Sequence, residues 1–212
     1  MNNNQNENLL SFKIITLGES GVGKTSIILR FHSNEFKKNS ESTTGLSFSF
    51  KSITLKNKEK IELKLIDTGG EEKYRALAKS YFKNSDGVLF VYAKDNMESF
   101  LNIKEWITLF NENHNGKEGV PKFLVESKGD LNRVVDEKLA EDFAKENNMP
   151  LVKTSAKRND SINELFEQIA ELLYENHMKE NNKDFSQKKS INLSYKKKTK
   201  KSHCCLVTND IK

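Results

Sequence analysis

Residues 18–26, GESGVGKTS, place three glycines and one lysine between two apolar runs, FKIITL and IILRF. Glycine adopts positive φ without a Cβ penalty, so the backbone here can turn sharply and bring its N–H groups close to another molecule. The stretch from Gly18 to Thr25 fits G-x-x-x-x-G-K-[ST], a loop that cradles phosphates at the start of a helix. FKIITL reads as a buried strand and KTSIILRF as the first turns of an amphipathic helix. A strand, a phosphate loop and a helix in that order demand an α/β architecture. In it Lys24 neutralises the outer phosphates and the Thr25 hydroxyl ligates Mg²⁺.

The rest of the chain continues the alternation. LSFSFKSITL and EKIELKLID read as a hairpin around KNKEK. GVLFVYA (87–93), PKFLVE (121–126) and MPLVKTS (149–155) are short apolar runs of the kind buried on both faces of a sheet. Between them lie helical patterns in ESFLNIKEWITLFNEN, DEKLAEDFAKEN and INELFEQIAELLYENH. The expectation is a doubly wound, mostly parallel sheet with one antiparallel strand, binding its ligand at the carboxyl ends of the strands.

Charge separates the chain into parts. The formal net charge is +5, but residues 183–212 hold nine lysines against Asp184 and Asp210, leaving −2 for residues 1–182. The basic character belongs to a tail. This argues against a nucleic-acid-binding globular face and for a tail that meets a membrane surface or a partner. Residues 1–10 read as a flexible extension and 178–212 as a disordered polybasic tail. MNNNQNEN has neither the basic nor the apolar region of a secretory signal, so a cytoplasmic protein is expected. The two cysteines, Cys204 and Cys205, are adjacent and fit neither a structural disulfide nor a metal spacing.

Three more strand ends carry chemistry. KLID delivers Asp67 about forty residues after the phosphate loop, where a carboxylate suits the outer shell of Mg²⁺, and Gly70 follows with an N–H for a γ-phosphate. SKGD ends in Asp130, which can accept two N–H donors from a guanine edge while the Lys128 stem lies along the base. TSAK brings the small Ala156 near a base oxygen. Alone, the Asp67 stretch reads equally as a turn, and SKGD and TSAK each read more readily as a capped turn; four at successive strand ends, in one order, do not.

On GESGVGKTS, STTGLSF, LIDTGGEEKYR, FVYAKDNMESF, LVESKGD and TSAK, residues 11–177 resemble a Ras-superfamily small GTPase G domain, nearest the Rab family. The resemblance implies a six-stranded mixed sheet flanked by five helices, a switch that binds GTP or GDP with Mg²⁺, and slow hydrolysis in vesicle traffic. It implies that Ser20, Gly21, Val22, Gly23, Lys24, Thr25 and Ser26 hold phosphates, that Thr43 joins Thr25 on the metal, and that Phe36 packs on the base. Asp67 would hold the metal's water shell and Gly70 the γ-phosphate. Lys128 and Asp130 would read the base while Ser155, Ala156 and Lys157 close over it. The implied partners are an exchange factor, a GTPase-activating protein and effectors, with the chain a monomer.

Four departures qualify the resemblance. The glutamine that orients the attacking water is Glu71, an acceptor only when ionised, whose charge opposes that of the transition state; Gly69 beside it replaces alanine. The expectation is altered hydrolysis, with a GTP-binding scaffold of little turnover as the alternative. The usual asparagine of the base motif is Ser127, a loss of about 0.5–1.5 kcal/mol for one hydrogen bond. Thr44, Ser47 and Ile66 change the surface that Rab effectors read. Finally, LVTNDIK follows Cys204 and Cys205, so no terminal prenylation signal is present as written. Unmodified cysteines, palmitoylation and an unusual prenylation all stay open; one lipid plus the lysines would anchor the chain reversibly to the cytosolic face of a membrane. A P-loop ATPase or kinase is disfavoured by SKGD and TSAK.

Overall fold

The computed structural model describes residues 9–38, 43, 45–69, 79–114 and 119–199, with 182–199 in backbone alone. The first compact unit, Met1–Leu173, contains the sheet. Its strands are β1 (Leu10–Leu17), β2 (Leu46–Thr54), β3 (Lys60–Thr68), β4 (Gly87–Ala93), β5 (Lys122–Ser127) and β6 (Leu151–Lys153). They lie in the order β2-β3-β1-β4-β5-β6, with β2 and β3 antiparallel and every other pair parallel. The expected mixed sheet is therefore present. β2 runs antiparallel because it returns through the tight turn at 55–59, where Lys58 takes φ 70° and donates its N–H to the Leu55 carbonyl at 2.9 Å. The other strands follow crossovers, and a crossover returns the chain in the same direction.

The named helices among the described residues are α1 (Lys24–Ser33), α2 (Met97–Leu101), α3 (Ile103–Asn113), α4 (Glu137–Glu146) and α5 (Ile162–Thr199), and residues 79–82 are helical as well. Alternation along the strands assigns their partners. Ile15, Leu17, Val88, Phe90, Tyr92 and Leu124 join Phe100 of α2, Trp106 and Phe110 of α3 and Phe143 of α4 in one core. Ile14, Leu89, Val91 and Val125 point to the other face. Phe31 of α1 and Phe166 of α5 stack at 4.0 Å, and Gly87 of β4 makes room for Ile169. Each such ring or branched chain taken out of water contributes about 1.5–3 kcal/mol.

Three details differ from the sequence reading. The single helix expected over ESFLNIKEWITLFNEN breaks at Asn102; Asn96 caps its first part by accepting the Ser99 N–H at 2.9 Å. The last strand is shorter than 149–155, and Ser155 leaves it to form an isolated bridge with Asp160. The region 178–212 was expected to be disordered, yet the backbone stays helical to Thr199. No glycine or proline falls between Ile162 and Thr199, so nothing in the backbone stops the helix. In the second unit, Tyr174–Lys212, Asn181 Nδ2 meets His177 Nε2 at 2.9 Å. Among the described residues no helix is long and apolar enough to cross a membrane.

Candidate functional site

A cavity of about 610 Å³ lies at the carboxyl ends of the strands. The glycine-rich loop after β1 forms one side of it. Gly18 has φ 146°, and a Cβ there would stand 2.1 Å from the Val91 carbonyl oxygen, so no other residue fits. Gly23 precedes α1 with φ 103°, no side chain caps the helix, and its first turn carries no acid. The first amides of α1 are thereby left free of intrahelical partners, and with the helix dipole they favour an anion. Ser20, Gly21, Gly23, Lys24, Thr25 and Ser26 line this side. Val22 lies just behind it, 1% exposed.

Lys24 is buried, and its Nζ donates to the carbonyls of Gly18 at 2.8 Å and Glu19 at 2.7 Å. Burial lowers its pKa to about 8 against the opposing pull of Asp67 and Glu19. Glu19 is itself held, its Oε1 accepting from Trp106 Nε1 of α3 at 2.9 Å. Lysine Nζ is thus parked on the carbonyls of its own loop.

Beside it three oxygen-bearing side chains converge. Thr25 Oγ1 donates to Asp67 Oδ2 at 2.6 Å, and Thr43 Oγ1 lies 2.6 Å from Thr25 Oγ1 and 3.4 Å from Asp67 Oδ2. A hydroxyl has one proton, so Thr25, donating to Asp67, accepts from Thr43, whose own proton is shared between Thr25 and the more distant Asp67 Oδ2. Asp67 is buried, which raises its carboxyl above the ordinary value while the Thr25 bond, Lys24 and the Thr43 bond oppose the shift. Its Oδ1 has no hydrogen-bond partner among the described residues. Two hydroxyls and a carboxylate with a spare oxygen, all hard donors, fit the outer and inner shells of Mg²⁺. Among the described residues no cluster of His, Cys, Asp or Glu offers a different metal chemistry.

The other side of the cavity is built by β5 and β6. The Ser127 hydroxyl sits between the carbonyls of Val22 and of Tyr92, the latter at 2.8 Å, and so ties the phosphate loop to β4. Lys128 takes φ 55° and its Nζ lies 3.7 Å from Asp95 Oδ1. Asp130 Oδ1 accepts from the Ser155 hydroxyl at 2.7 Å, and Lys157 Nζ stands 3.5 Å from Oδ2. Burial pushes the Asp130 carboxyl up, but the bonds from Ser155, its own backbone and Lys157 outweigh it and hold the group below its ordinary value. The Ala156 carbonyl accepts from Arg30 Nε at 2.7 Å, and the same guanidinium lies 5.9 Å from the Phe36 ring centre. Phe36, half-buried, faces the cavity with Thr43, Ser127, Lys128, Asp130, Ala156 and Lys157.

Asp67 and Ser155 therefore act from behind the wall rather than on it. Gly70, Glu71, Cys204 and Cys205 lie outside the described residues. The lining also includes Ile27, Lys37, Lys38, Thr68 and Leu131, which motif reading missed. The lysine doublet directly after Phe36 was the available signal for two of them.

The Ras family model matches residues 13–175. The chain is 40% identical over 160 residues to Ras-related protein Rab-1C of Dictyostelium discoideum, covering 74% of this chain and 78% of that one. It is 35% identical over 164 residues to Ras-related protein SEC4 of Saccharomyces cerevisiae, covering 77% and 75%. It is 35% identical over 157 residues to the GTP-binding protein YPTM1 of Zea mays, covering 73% and 74%. By its fold, by the order of its strand-end motifs and by these relatives, the chain belongs to the Ras family as a Rab-like small GTPase.

Proposed function

We propose that the chain is a GTP/GDP switch of vesicle traffic whose nucleotide lies in the 610 Å³ cavity, base against Asp130 and phosphates on the capless start of α1. One observation carries this reading. A single cavity joins a glycine loop with a buried lysine, the Thr25–Thr43–Asp67 cluster, and an Asp130 already held as a carboxylate. Lys24 leaves the Gly18 and Glu19 carbonyls for the outer phosphate oxygens, a trade of neutral acceptors for charged ones. Thr25 and Thr43 are the residues that would hold Mg²⁺ directly, with Asp67 ordering its waters. When bound, that ion neutralises charge on the phosphate oxygens.

Hydrolysis is in-line attack of water on the γ-phosphorus. The new P–O bond forms as the bond to the bridging β-oxygen breaks, and the water proton passes to phosphate oxygen. Lys24 and the loop amides stabilise the charge that shifts onto the leaving oxygen. In this reading the Gly70 N–H meets the γ-phosphate and Glu71 accepts from the attacking water. Exchange factor, activating protein and effectors act on the segments around Thr43 and Glu71. The basic tail with Cys204 and Cys205 brings the chain to the cytosolic face of membranes.

Single-turnover hydrolysis of GTP by the purified chain tests this reading. A measurable rate, lost in Lys24→Ala, is expected. Tight GTP loading without turnover points instead to a scaffold. Glu71→Gln should raise the rate, by about tenfold if the restored amide stabilises the transition state by about 1.4 kcal/mol. An unchanged rate removes Glu71 from the site.

A further inference from the structure

Beneath the loop 127–132 lies a charged cluster whose members do not line the cavity. Glu126, next to last in β5, is 1% exposed. Arg133 meets it with both terminal nitrogens, Nη2 to Oε1 at 2.8 Å and Nη1 to Oε2 at 2.9 Å. The hydroxyl of Tyr92, its register partner on β4, donates to Oε2 at 2.8 Å. Arg133 Nη1 also reaches the Val135 carbonyl at 3.0 Å.

An ion pair with one buried and one part-exposed member is a weak source of stability, because apolar residues of the same volume often serve as well. A bidentate guanidinium fork does something else: it fixes distance and direction together. Here it joins the residue before Ser127 to the third residue after Asp130, closing the base-reading loop at its neck. The loop inside is held tightly. Gly129 N–H donates to the Thr154 carbonyl at 2.8 Å, Lys94 Nζ reaches the Gly129 carbonyl at 3.1 Å, and Leu131 N–H turns back to the Lys128 carbonyl at 2.9 Å. Within that frame Asp130 is aimed by Ser155 and Lys157.

We propose that the Glu126–Arg133 pair, braced by Tyr92, is a positioning element that aims Asp130 and thereby sets the guanine selectivity of the site. This rests on the nucleotide reading above. Guanine offers Asp130 two donors, the ring N–H and the 2-amino group; hypoxanthine offers only the first. A carboxylate turned out of line loses the second bond, so discrimination between the two bases reports its aim where a general loosening does not.

The experiment compares dissociation of GDP and of inosine diphosphate from the full chain and from Arg133→Lys, which keeps the cation but not the fork. GDP release should quicken about fivefold, the worth of roughly one hydrogen bond, with inosine diphosphate release and single-turnover hydrolysis each within about twofold of the parent. The double variant Glu126→Gln with Arg133→Gln, which leaves no unpaired charge, should lose the same preference. Equal acceleration of both nucleotides, or no change, overturns the proposal. A variant that unfolds assigns the pair to stability and also overturns it. A parent chain that holds GDP above ADP but no better than inosine diphosphate does so too. A parent that holds ADP as tightly as GDP fails the nucleotide reading itself.

Discussion

Asp67 and Asp130 serve the same cavity from contrasting surroundings. Asp67 is 2% exposed, burial raises its carboxyl, and its Oδ1 has no hydrogen-bond partner among the described residues. Asp130 has Ser155 on one oxygen and Lys157 on the other, and its carboxyl is held low. On the phosphate side a buried lysine likewise rests on backbone carbonyls, with its own pKa lowered. That side is arranged around charges that arrive with the ligand. The base side is finished by the protein's own side chains before any ligand comes. On the proposed nucleotide reading the difference would divide the work: affinity would come from the phosphate side, where incoming charge relieves buried polar groups, and selectivity from the base side, where a preset carboxylate rejects a mismatched edge.

The largest break in that division is Lys24→Ala. Loss of charge-assisted bonds to phosphate should weaken GDP and ADP alike by about a thousandfold in an equilibrium titration. Tight binding that survives would remove the phosphate loop from the site. Next comes Asp130→Asn, which should lower the preference for GTP over inosine triphosphate by about tenfold, the worth of the bond to the 2-amino group, and leave ATP affinity unchanged. Equal weakening of both would show that Asp130 does not read the 2-amino group, and no weakening of either would put it outside base recognition.

Ser127→Ala sharpens the comparison, because its hydroxyl joins the two sides through Val22 and Tyr92. Release of GDP and of inosine diphosphate should both quicken by about two- to tenfold, measured by displacement. An effect on GDP alone would make Ser127 a reader of the base. The smallest effect is that of pH. Asp130 has a folded pKa below its ordinary 3.8, so the stability it contributes is complete above that value and is lost only as pH falls through the lower, folded one. Guanine preference should be flat from about pH 8 to about pH 5; a decline across that window would show that another group sets it.

Much of this site was legible in short stretches. GESGVGKTS, SKGD and TSAK each carry their chemistry within a few residues, and the structure brings them to one cavity. The mixed sheet was legible for the same reason, since alternating and continuous apolar runs are local patterns. Other features had no local signature. Glu126 ends an otherwise apolar run and Arg133 sits in a polar connection; neither position hints that their side chains meet. Asn102 falls inside a helical pattern that it interrupts. The lysine-rich composition suggested disorder after 178, although the backbone remains helical to Thr199.

By itself, then, the sequence determined which local groups exist: a loop able to wrap an anion, a threonine after its lysine, a carboxylate at each of two strand ends. Tertiary structure alone decided how they are tuned. Thr25, Thr43 and Asp67 meet across 18 and 42 residues of sequence, and Ser155 reaches Asp130 across 25. Burial then raises one carboxylate and hydrogen bonds lower the other. Burial and long-range partners depend on how strands order themselves in the sheet, and no window of sequence contains that order.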